Sequence, residues 1–78
     1  MLLKDLRPGE AGIVKGINLP FQIERRLQAL GMTLGTKLEI VNRKGQGVMI
    51  ILLRGTRFAL GYNMTRNILV EKAEVDDD

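Results

Sequence analysis

The stretch 25–35, Arg-Arg-Leu-Gln-Ala-Leu-Gly-Met-Thr-Leu-Gly, constrains the chain more than any other. At about 100° per residue, Ile23, Leu27 and Leu30 fall on one narrow stripe of a helix, with Arg25 near the opposite side and Arg26 at its edge. Gly31 sits where a helix ends in a left-handed residue, which glycine adopts without steric cost. Met32 and Leu34 anchor the loop that follows, and Gly35 turns the chain into the next segment. Asn18 reads as an N-cap and Pro20 as a first-turn residue, so one helix is expected near residues 20–30.

Around this helix the pattern is of short strands. Ala11–Ile17 reads as the first, with Ile13 and Ile17 inward and a bend or bulge at Gly12 and Gly16. Residues 36–44 alternate, with Leu38 and Ile40 on one face and Lys37, Glu39, Val41 and Arg43 on the other. Gly45-Gln46-Gly47 is a hairpin connection, which leads into Val48–Leu53, apolar on both faces. Arg54-Gly55-Thr56-Arg57 turns into a strand with Phe58 and Leu60 on one side and Ala59 on the other. Residues 61–65 form a short turn, and Ile68 and Val70 close a last strand with Leu69 outward. Arg7-Pro8-Gly9-Glu10 is a further turn, and Leu2, Leu3 and Leu6 tack the N-terminus onto the sheet. Five strands of this size leave their edges least exposed as a small antiparallel barrel. The expected fold is mainly β: an SH3-like five-stranded barrel with one inserted helix, spanning 1–71. Residues 72–78 are expected to be a disordered acidic tail.

Charge and residue inventory narrow the function. Residues 1–70 carry eleven Lys and Arg against four acids, while 71–78 carry five acids against Lys72, for a net charge of +3. The chain has no His, Cys, Ser or Trp. The usual nucleophiles and neutral-pH bases are therefore missing, and no catalytic residue is assigned. Borderline metals favour imidazole and thiolate, so no metal ligand or cofactor is assigned either. The absence of cysteine fits a cytoplasmic protein. The longest apolar run, Val48–Leu53, is far too short to span a bilayer, and no direct membrane insertion is expected.

Arg-Arg-Leu-x-x-Leu-Gly-Met-x-x-Gly, followed by an alternating strand, a Gly-containing hairpin and a closing Ile-Leu-Val, resembles the FeoA family. The motif runs from Arg25 to Val70, and length and element order match over the whole chain. The resemblance implies a small cytosolic SH3-like protein of ferrous iron uptake that interacts with the cytosolic part of the membrane GTPase-transporter FeoB. A similar module ends some metal-dependent repressors. The family is also described as binding transition metals, which the inventory here suits poorly.

The alternative reading is a basic nucleic-acid-binding or metal-regulator-associated domain, since small β-barrels bind RNA and DNA. With Phe21, Phe58 and Tyr62 as its only aromatics the chain lacks a stacking platform, which weighs against nucleic acid. The same scarcity argues against a proline-peptide groove. For partner docking or self-association the expected surface is the second face of Val48–Leu53, taken as Met49, Ile51 and Leu53. Val41, Ala59 and Leu69 extend it and Lys37, Arg43, Arg54 and Arg57 rim it. Met32 and Leu34, beside Arg25 and Arg26, are expected to add a second contact.

Overall fold

The computed structural model describes residues 1–75. A 3-10 turn at Leu3–Asp5 leads to β1 (Ala11–Ile17), α1 (Phe21–Ala29), β2 (Lys37–Lys44), β3 (Val48–Leu53), β4 (Thr56–Leu60), the single turn α2 (Tyr62–Thr65) and β5 (Ile68–Ala73). All five strands join one antiparallel sheet in the order β4-β3-β2-β1-β5. This is the expected SH3-like arrangement with its inserted helix. β5 runs two residues past the expected boundary at 71, and Lys72 pairs with Glu10. Residues 76–78 of the expected tail lie outside the described residues.

Two bulges bend the sheet. One lies between Val14 and Gly16 on β1, the other between Ile40 and Asn42 on β2. An extra residue on one strand increases local twist, which lets a short sheet curl around its own core. Gly12 serves the same curl: a Cβ there would stand 2.9 Å from Leu6 Cδ1 and 3.3 Å from Val70 Cβ. Val14 rather than Ile13 fills the β1 core position, since Gly12 lies opposite the inward Leu38 and Val14 opposite Val70; beyond the bulge at Lys15, Ile17 flanks the core.

The core joins Leu3 and Leu6 to Leu38, Ile40, Ile68 and Val70, with Met49, Ile51 and Leu53 from β3. Each such side chain contributes on the order of 1.5–3 kcal/mol by leaving water. The inward set of β3 is the reverse of the one expected. Ile51 lies directly opposite Ile40 on β2 and Phe58 on β4, so it shares their face. Val48, Ile50 and Leu52 take the other face, half-buried.

The helix starts at Phe21, with Pro20 as its N-cap and no side-chain cap. Asn18, expected to cap it, instead donates its backbone N–H to Asn67 O at 2.8 Å. At the other end the Met32 N–H reaches Leu27 O and the Gly31 N–H reaches Gln28 O, both at 2.9 Å. With Gly31 at φ 102° this is a Schellman stop, and Met32 folds back beside Leu27. Of the expected helix stripe Leu27 is buried, Ile23 packs against the core, and Leu30 is half exposed.

Candidate functional site

The structure separates the residues expected to bind a partner. Met32 is 0% and Met49 1% exposed, so both belong to the core and neither can meet a partner. Met32 is buried because the Schellman stop turns it inward; Met49 is buried because β3 has the opposite phase. Leu34 is 69% exposed in the loop after the helix stop. Arg25 stacks on Phe21, its guanidinium 5.6 Å from the ring centre, on the solvent side of α1. Leu69 is exposed on β5, at the far edge of the sheet from β4, and bridges to Leu2. Val41, Ala59 and Leu69 therefore do not form one patch. Arg43 is also lost from the expected rim, because its guanidinium donates to the Lys4 and Leu6 carbonyls and ties down the N-terminal turn.

What the fold does bring together is Arg26 with a set of apolar side chains that the sequence left apart. Between α1 and β4 runs a groove of about 310 Å³. Ile23, Arg26, Leu27 and Leu30 form its helix wall, Phe58, Ala59 and Leu60 its strand wall, and Met64 of α2 lies at its margin. The helix wall follows from spacing: 23, 26, 27 and 30 are neighbours on one helical face. The strand wall follows from the β3–β4 turn. Arg54 and Gly55 both have positive φ, 52° and 79°, the conformation of a two-residue type I′ hairpin. That turn sets Phe58 opposite Ile51 and Leu60 opposite Met49. Arg54 also reaches the helix stop, since a Cβ on Gly31 would lie 3.0 Å from Arg54 Cδ. The helix end and the strand turn thus meet at one end of the groove.

Electrostatically the groove's surroundings are one-sided. Arg26 lines the groove, Arg54 and Arg57 lie on the adjoining turn and strand, and residues 54–67 hold no acid. These three arginines have no carboxylate partner among the described residues, while Arg66, stacked on Tyr62 at 5.8 Å, lies away from the groove. The ion pairs Lys4–Asp5, Lys15–Glu71 and Lys72–Glu10 lie instead around the N-terminal turn, β1 and β5. There the Lys72 ammonium, then the Arg7 N–H, hold the Glu10 carboxyl below its ordinary range, and Lys4, then the Leu2 N–H, do the same for Asp5. A second hollow of about 330 Å³ lies by Leu2, Ile17, Asn18, Arg66 and Leu69.

No group of three or more His, Cys, Asp or Glu among the described residues is placed to hold an ion. Asp5 and Glu10 already accept from lysines. No helix of the described residues is long and apolar enough to cross a membrane.

Comparison with known proteins agrees with this architecture. The model of the FeoA domain matches residues 1–72. A curated relative from Methanocaldococcus jannaschii, "Putative Fe(2+) transport protein A", is 35% identical over 68 residues, 87% of this chain and 82% of the relative. Among solved structures, an iron uptake regulatory protein (FeoA) superposes with a TM-score of 0.81 at 29% identity, covering 94% of this chain and 96% of that one. The FeoA of Stenotrophomonas maltophilia, solved as a zinc complex and described as a prokaryotic SH3 domain protein, gives 0.77 at 25% identity over 91% and 89% of the two chains. With the family model covering nearly the whole sequence, and the five-stranded sheet and inserted helix shared with solved members, the chain belongs to the FeoA family.

Proposed function

We propose that the chain is a non-enzymatic accessory protein of ferrous iron transport that works in the cytoplasm by docking on the cytosolic part of a FeoB-type GTPase transporter. The observation that carries this reading is the apolar groove between α1 and β4, with Arg26 in its wall and Arg54 and Arg57 on the adjoining turn and strand, none paired with a carboxylate among the described residues. An apolar floor with a charged rim is the composition of a protein contact. The arginines steer the chain toward an acidic partner surface. Family membership supplies the transport context. Ferrous iron is then the transporter's cargo and not a ligand held by this chain, whose donors do not suit it.

The test is capture of the purified transporter by the immobilised chain, beside ferrous uptake in cells that lack the chain. Binding by wild type, lost in Leu30→Glu and weakened in Arg26→Glu, is expected, with uptake falling in parallel. Equal capture by wild type and both variants would remove the groove from the interface. No capture at all would remove the docking reading.

A further inference from the structure

The two outer edges of the sheet differ in what their backbones do. On β5 the Val70 N–H donates to Met1 O at 2.8 Å, and the Met1 amino group donates back to Val70 O at 3.1 Å. The N-terminal segment thus covers that edge. On β4 the two-residue turn sets the hydrogen-bonding phase. Residues flanking such a turn exchange both bonds, so Leu53–Thr56, Ile51–Phe58 and Met49–Leu60 are the bonded pairs. Arg57 and Ala59 lie between them and aim their N–H and C=O groups away from β3. No backbone partner for these four groups occurs among the described residues.

This free edge runs along the groove, because Ala59 is both an edge residue and part of the groove wall. Resting on the docking reading above, we propose that the transporter segment held here is an extended, alternating aliphatic and acidic peptide that adds to β4 as a sixth strand. Main-chain bonds to Arg57 and Ala59 supply its direction and register. Its alternate side chains point to opposite faces. One set enters the groove between α1 and β4, against Leu30, Phe58 and Leu60. The other set faces outward beside the Arg57 side chain, where carboxylates complement it. Charge also argues against a second copy of this chain as the occupant. A two-fold β4–β4 pairing centred on Arg57 or Phe58 would set the two Arg57 side chains opposite or diagonal to each other on one face, and like charges across a strand pair are unfavourable.

The discriminating variant is Ala59→Pro. It deletes an outward N–H and leaves the β3–β4 bonds untouched, and proline is accepted on an edge strand with its nitrogen facing out. The full chain and the detergent-solubilised transporter are the reagents. The expected result is a loss of affinity of about tenfold or more in Ala59→Pro. In wild type, hydrogen exchange at the Arg57 and Ala59 amides should slow by at least about tenfold on binding. Affinity unchanged in a folded Ala59→Pro variant, or exchange at both amides as fast in the complex as in the free chain, overturns strand addition. Should Ala59→Pro fail to fold, exchange in the wild type decides alone. Wild type that binds no transporter overturns the docking reading instead, a distinct outcome.

Discussion

The β5 side and the β4 side of this sheet are built to opposite specifications. At β5 the chain spends its own N-terminus on the edge: Met1 and Leu2 pair with it, and Leu3 and Leu6 are buried beneath. The ion pairs Lys15–Glu71 and Lys72–Glu10 lie on the same side. At β4, among the described residues, the outer backbone groups have no partner and Arg54 and Arg57 pair with no acid, while the neighbouring helix stands off to leave a groove. Small domains have little stability to spare. An edge that is left open in such a domain is therefore a place where something other than self-stability sets the sequence.

The largest test of that contrast is a matched pair of truncations. Leu3→Ala on the closed side should cost roughly 2–5 kcal/mol, as a fully buried leucine does. Leu30→Ala on the open side, where the side chain is half exposed, should cost less than about 1 kcal/mol. Both are read from urea midpoints at constant slope; equal costs would erase the distinction. Next in size is Gly31→Ala. A side chain at φ 102°, close to the Arg54 stem, should cost about 1–2 kcal/mol. Its amide shifts should be confined to α1 and the β3–β4 turn, so shifts spreading to Val70 would show the two sides to be coupled. Smallest is Glu10→Gln. The folded Glu10 carboxyl titrates below its ordinary 4.5, so its stabilising pairing is fully present above that value and is lost as pH falls through the lower folded one. The variant should be slightly less stable than wild type at neutral pH and indistinguishable in acid. A gap that widens on acidification would mean that the Lys72 pairing is not its origin.

Much of this architecture was legible in the residues. The helix stop at Gly31, the alternation of 36–44 and the three N-terminal leucines led to the right elements, because each rests on a local rule. What failed was phase. Val48–Leu53 is apolar on both faces and gives no periodic signal, so its inward set could not be read from that segment. The signal lay next door. Taking Arg54-Gly55 as a two-residue turn places Ile51 opposite Phe58, on the side away from the outward Ala59. Met32 was recoverable in the same way, since a Schellman stop usually brings the residue after its glycine back onto the helix. The groove was not recoverable: it is the space between side chains 28 to 41 residues apart in sequence, Ile23 and Leu30 against Phe58 and Met64, and no local pattern encodes a gap.

The pairing of β1 with β5 has a consequence for how the molecule is made. Strands β2, β3 and β4 are neighbours in sequence and can zip as they emerge from the ribosome. Ile17, by contrast, waits for Ile68, and Ala11 for Ala73. During that interval the leucine-rich N-terminal segment has been synthesised without its final cover, the interval in which chaperone capture or misassembly competes with folding. Contacts between distant parts of a chain form slowly. Pulse-labelled exchange during refolding should find the Ile51 amide protected before that of Val70; simultaneous protection would mean that the sheet closes in one step. The segment that seals one edge of the finished protein is thus, while the protein is being born, its most exposed liability.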